Sequence, residues 1–175
     1  MRVDIRHRFE GATLQQIEAL YLLDDPFNRD TFERMGYARK VVTRTLEGDA
    51  LTRVLHLCPH KPLPAPFSAL VPNGVFHIIE QITYDFGAHR GTWRTTPSVL
   101  GTKFRAEGPI AIEEQDGAVT FRLEGDVSAQ LSLLSRRAER QAVATAEQQH
   151  EALARAVRER LATSRGAASY ATAPA

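Results

Sequence analysis

"QLSLLSRRAERQAVATAEQQHEALARAVRERLAT", residues 130–163, decides how the rest of the chain is arranged. It holds no Gly or Pro and is rich in Ala, Arg, Gln, Glu and Leu, which lose little freedom in a helix. Val143, Ala146, His150, Leu153, Val157 and Leu161 recur at spacings of three and four, so they share one helical face. One long amphipathic helix is expected, and its apolar stripe needs a partner surface. Residues 164–175 are small and polar and are expected to be a disordered tail, which leaves a single domain over 1–163.

The partner surface lies upstream. Val3, Ile5, His7 and Phe9 alternate with Arg2, Asp4, Arg6 and Arg8, the period of a half-buried strand. "GATLQQIEALYLL" (11–23) then changes period: Thr13 and Gln16 form a capping box, and Leu14, Ile17, Leu20 and Tyr21 make the buried stripe. "DDPFNRDTFERMG" (24–36) starts a second short helix, with an acidic cap, a first-turn proline and Gly36 as its stop. From there to residue 128 the pattern is antiparallel β. Residues 38–58 form a hairpin turning at Glu47-Gly48-Asp49, and "VFHIIEQITYDF" (75–86) is the next strand. "AHRG" (88–91) turns that strand into "GTWRTTP" (91–97). A last pair, 102–114 and 118–128, turns at Gln115-Asp116-Gly117, with Gly108 and Pro109 marking a bulge or bend.

Seven antiparallel strands, two short helices after the first, and one long terminal helix make an α+β chain in which the helix must cover the sheet's apolar face. This is the helix-grip arrangement, a curved sheet wrapped around the helix. In this order of elements the chain resembles the START-like (SRPBCC) superfamily of lipid-transfer, pollen-allergen and polyketide-cyclase domains. More closely, it resembles an uncharacterised bacterial family of that superfamily, a domain of unknown function. The residues carrying the resemblance are "FNRDTFERMGY" (27–37), "CPHKPLPAPFSALVPNG" (58–74), the Glu inside "FHIIEQITY" (76–84), "GPIAIEE" (108–114) and "EGDVSAQLSLLSRRAER" (124–140). It spans residues 2 to 163 and implies a cavity between sheet and helix that holds an apolar ligand.

Within that frame the informative residues are polar ones on apolar faces. Glu80 shares its strand parity with Phe76, Ile78, Ile82, Tyr84 and Phe86, so the register carries a carboxylate inward. An isolated buried carboxylate is costly and needs pairing, protonation or water. Arg53, between Leu51 and Leu55 on the neighbouring strand, is its expected partner. Two roles are open for such a pair: it satisfies only itself, or it orients the polar head of a ligand in an apolar cup. His7 and His150 also sit on apolar stripes, where a lone histidine is more often packed than functional. "HEALA" (150–154) opens like a zinc-protease motif, but Ala154 stands where the second histidine ligand is required. Tyr84 and Trp93 can close over a ligand or be plain core. The segment from Pro59 to Pro72 carries five of the nine prolines and cannot be a central strand. Its apolar Phe67, Leu70 and Val71 are expected to plug the cavity mouth; the alternative is a gate, or a lip making transient contact with a membrane or a partner.

Composition narrows the function classes. The net charge is +1 with both signs interleaved, unlike the basic stripe of a nucleic-acid binder. No apolar run approaches the roughly 20 residues of a membrane span, and the first strand does not read as a signal peptide, so a cytoplasmic protein is expected. The single cysteine, Cys58, excludes an internal disulfide. No phosphate loop, dinucleotide fingerprint, nucleophile elbow or metal-ligand cluster is present, so no cofactor or metal is expected and enzyme chemistry is disfavoured. The sequence therefore points to a binding or carrier protein for a lipid, isoprenoid or polyketide-like molecule. Glu80, Arg53, His7, His150, Tyr84, Trp93, Phe76 and Phe67 are its candidate ligand contacts. The rivals are an aromatase/cyclase or isomerase with Glu80 as general acid or base, and an interaction module docking through the proline-rich segment and the basic "SRRAER" (135–140).

Overall fold

The computed structural model describes residues 1–62, 68, 71 and 76–171, with side chains described as far as residue 164. Strand β1 (Arg2–Glu10) leads into α1 (Leu14–Glu18), which loosens into a π-turn over Ala19–Leu23, and then into α2 (Asp25–Arg34). Six strands follow: β2 (Tyr37–Glu47), β3 (Ala50–Pro59), β4 (Ile78–Asp85), β5 (Arg90–Pro97), β6 (Phe104–Gln115) and β7 (Ala118–Ala129). A 3₁₀ turn at Ser132–Leu134 then feeds α3 (Ser135–Ala171).

All seven strands join one antiparallel sheet in the order β1-β7-β6-β5-β4-β3-β2. Each strand from β2 to β7 lies beside the next in sequence, as hairpin connections dictate, and β1 closes onto β7. The helix-grip architecture read from the order of elements is the fold observed, with α3 against the concave face of the curved sheet.

Local chemistry accounts for the short helices. Thr13 accepts from the Gln16 amide (3.2 Å) and the Gln16 side chain accepts from the Thr13 amide (2.9 Å). Asp24 caps α2 by accepting from the Phe27 amide at 3.0 Å, and Gly36 leaves the helix at φ +85°, where a side chain is strained. The π-turn was not foreseen, because apolar spacing is blind to a single widened turn.

Three boundaries differ from expectation. β4 starts at Ile78 and not at residue 75; His77, just before it, exchanges bonds with Ser98, just past the end of β5. The long helix starts at Ser135, after the 3₁₀ turn, and not at residue 130; its backbone continues to Ala171. Between β6 and β7 the pairing is interrupted at Gly108 and Pro109 with the register unchanged on either side, so no residue is inserted there. Proline has no N–H for the ladder. In that gap the Trp93 indole N–H donates to the Glu124 carbonyl at 2.8 Å. A Cβ on Gly125 would strike the Trp93 ring, so the indole lies against this glycine.

The core is continuous. Val3, Ile5 and Phe9 of β1 and Val119, Phe121 and Leu123 of β7 pack with Leu153, Ala154, Val157 and Leu161 of α3. Val157 is 0% exposed. Along the same helical face towards its start the side chains shrink to Ala138, Ala142, Thr145 and Ala146. The large residues fill the space under the second half of the described helix, and the small ones leave space under the first.

Candidate functional site

That space is a cavity of about 670 Å³ between α3 and the sheet, closed on a third side by the π-turn and α2. Its sheet wall is apolar: Leu55, Leu57, Ile82, Trp93, Phe104 and Ile110. His60, Lys61 and Pro62 also line it and are exposed, so it reaches the surface where β3 ends. The volume lies within the range of about 300–1,000 Å³ typical of small-molecule pockets.

Five of the candidate contacts line this cavity: Glu80, Arg53, His150, Trp93 and Phe76. His7 and Tyr84 do not. His7 is buried behind the wall, its Nδ1 3.6 Å from Glu151 Oε2. Tyr84 points the other way along the sheet, where its hydroxyl donates to buried Glu18 Oε1 at 3.0 Å; His89 Nδ1 meets the same oxygen at 2.9 Å. Phe67 and Leu70 lie outside the described residues.

The expected Arg53–Glu80 pair is not formed. Glu80 lies opposite Leu55 and Arg53 opposite Ile82, so the two are diagonal neighbours on one face, near enough to pair had the guanidinium not turned elsewhere. Among the described residues no ion pair within 4.0 Å and no hydrogen bond reaches the side chain of Glu80, which is half-buried. Arg53, 2% exposed, turns instead towards the π-turn, where its Nη1 donates to the Leu22 carbonyl at 2.7 Å. That turn leaves further carbonyls to be satisfied from outside. Asn28 Nδ2 donates to Leu20 (2.7 Å) and Arg44 Nη1 to Leu23 (3.4 Å). Arg53 therefore has a structural task at one end of its guanidinium.

At the other end it is unsatisfied. Arg53 Nε is buried and has no hydrogen-bond partner among the described residues. The carboxylate it does approach is Asp25, 3.9 Å from Nη1, and Asp25 is shared with Arg39 (3.3 Å) and Arg44 (2.8 Å). Burial lowers the Arg53 pKa to about 10, with Arg39 adding repulsion and Glu80 and Asp25 opposing the shift. It remains a cation at neutral pH.

Across the cavity a second polar group converges. His150 Nδ1, Gln149 Nε2 and the Tyr21 hydroxyl are likewise buried without a partner among the described residues, and all three residues line the cavity. The Phe121 ring bridges Tyr21 and His150, stacked on the first at 4.2 Å and on the second at 5.4 Å between centroids. Burial, then the neighbouring His7, lowers the His150 pKa to about 4, so the imidazole is neutral. Burial pushes the Tyr21 hydroxyl well above its ordinary value. A neutral imidazole, an amide and a phenol can donate or accept hydrogen bonds there without introducing charge.

Sequence reasoning passed over Arg39, Gln149 and the cavity-facing role of Tyr21. Gln149 was within reach: it lies three residues after Ala146 and four before Leu153, on the same stripe. Arg39 was not, because β2 has no apolar alternation around it; its burial comes from standing opposite Leu57.

Solved structures with the same fold include the protein TTHA0849 from Thermus thermophilus (15% identity, 94% of this chain and 99% of that one, TM-score 0.60). The Zhui aromatase/cyclase from Streptomyces sp. R1128 also matches (12% identity, 91% and 93%, TM-score 0.59), as does protein Ms6760 from Mycobacterium smegmatis (14%, 91% and 90%, 0.60). At these identities the likeness shows the START-like fold alone. No curated protein matches the chain by sequence. Residues 4–161 match the family described as "Protein of unknown function (DUF2505)", and with that match over nearly its whole length the chain belongs to this START-like family.

Proposed function

We propose that this protein binds and carries a small apolar molecule, a lipid, isoprenoid or polyketide-like compound, in the cavity between the sheet and α3. One observation carries the proposal. Four of the five buried side-chain polar atoms without a partner among the described residues belong to cavity-lining residues: Arg53, Tyr21, Gln149 and His150. A buried polar group left unpaired costs about 1–3 kcal/mol, which an occupant that draws these side chains into hydrogen bonds would recover. The apolar wall supplies the affinity, about 25 cal/mol for each Å² removed from water, and the polar atoms supply orientation.

Native mass spectrometry of the purified protein, followed by organic extraction, tests this. The expected result is an adduct that survives gentle ionisation and is recovered in the extract as an apolar small molecule. Protein that is free of ligand, and stays free when lipid extracts are offered to it, would sink the proposal.

A further inference from the structure

We infer that the ligand carries a single carboxylate, seated at Arg53 and Arg39 at the end of the cavity closed by the π-turn and α2. The inference rests on the ligand-binding reading above and adds the charge and place of the head group.

The charge count is the first argument. Among the described residues the guanidiniums of Arg39, Arg44 and Arg53 share one carboxylate within 4.0 Å, Asp25, so the two cavity-lining arginines among them, Arg39 and Arg53, do not have a carboxylate each. The Arg39 and Arg53 side chains are 2% and 3% exposed, where solvent screens little. Positive charge is therefore in excess at this end of the cavity, which suits the carboxylate of a ligand.

Geometry is the second. Asp25 is already divided among three arginines, and Arg44 takes its better hydrogen bond at 2.8 Å. Arg53 Nε is buried and unpartnered among the described residues, and Arg53 lines the cavity. Arg39 lines the same space and lies over the Phe32 ring at 6.0 Å, which helps to hold its plane. A buried guanidinium with a spare N–H, and a second that shares the same Asp25 oxygen, match the acceptor pattern of a carboxylate. From there the apolar wall runs away past Leu55, Ile82 and Trp93, so a long apolar chain has a place to follow its head.

Trp93 is the only tryptophan and lines the cavity, so its fluorescence reports entry. The test titrates the full chain with palmitate and with hexadecan-1-ol, which share a chain length and differ in head-group charge. Palmitate should bind about tenfold tighter or more. Arg53→Gln should bring it to within about twofold of the alcohol measured on the same variant. Glu80→Gln removes the carboxylate that competes for the same cation and should strengthen palmitate binding alone. Because the Glu80 side chain has no hydrogen bond among the described residues to lose, this variant decides the matter should Arg53→Gln fail to fold. Equal binding of acid and alcohol, or palmitate binding indifferent to both substitutions, overturns the head-group assignment and leaves the cavity reading intact. Failure of both probes to bind overturns the two together.

Discussion

His150 shows how much one side chain depends on what surrounds it. On the helix it is one polar letter in an apolar stripe; in the fold it is stacked on Phe121, with its Nδ1 buried. Its folded pKa of about 4 lies below the ordinary 6.5, so the unfolded chain takes up the proton first as pH falls. Stability from this group is therefore complete above about pH 6.5 and is lost progressively towards pH 4, amounting to about 3 kcal/mol. His7, lowered mainly by burial, acts in the same direction. His150→Gln keeps a polar side chain that cannot titrate. Urea unfolding measured from pH 7.5 to 4 should show a shallower acid limb in this variant, and an identical slope would refute the assignment. At this scale parity alone placed Glu80 on the cavity face. It could not place the end of the Arg53 side chain, because the carbonyl that receives it belongs to Leu22, 31 residues earlier.

At the scale of elements, α3 divides its labour along one face. Leu153, Val157 and Leu161 fill the core, while Ala138, Ala142 and Ala146 stand back from the sheet and leave the cavity open. The stripe was legible from spacing, whereas the size gradient along it acquires meaning only opposite a particular wall. Filling the space should separate binding from folding. Ala142→Phe is expected to abolish co-purifying ligand and palmitate binding while unfolding stability changes by less than about 1.5 kcal/mol, since a larger apolar side chain enters free volume and not packed core. Circular dichroism and the Trp93 titration together check this: an unfolded variant, or one that still binds, contradicts the proposed location. The sheet makes a related point. The gap at Gly108 and Pro109 was visible as two letters, but not that the Trp93 indole would fill it, since Trp93 comes from a different strand.

For the whole molecule, the cavity is a deficit within an otherwise closed fold. A ligand that binds only the folded state should stabilise it by about 2.7 kcal/mol at a hundredfold excess over its Kd. For a chain of 175 residues this amounts to a rise in Tm of several degrees. Thermal unfolding of extracted protein, with and without added ligand, measures it; an unchanged Tm at saturating ligand contradicts preferential binding to the folded state. Among the described residues no helix is long and apolar enough to cross a membrane.

By itself the sequence determined the order of elements, the sheet and its covering helix, and the face on which Glu80 stands. These follow from periods of two and of 3.6, from caps and from turn residues, all interactions between near neighbours in the chain. Tertiary structure decided the rest: that Arg53 caps a π-turn and does not grip Glu80, that Arg39 joins it around Asp25, that Tyr84 bonds Glu18 away from the cavity, and that His7 stays behind the wall. Side-chain ends reach several ångströms from their strands, and their partners are set by which distant carbonyls and carboxylates the packing brings near. No local period encodes that.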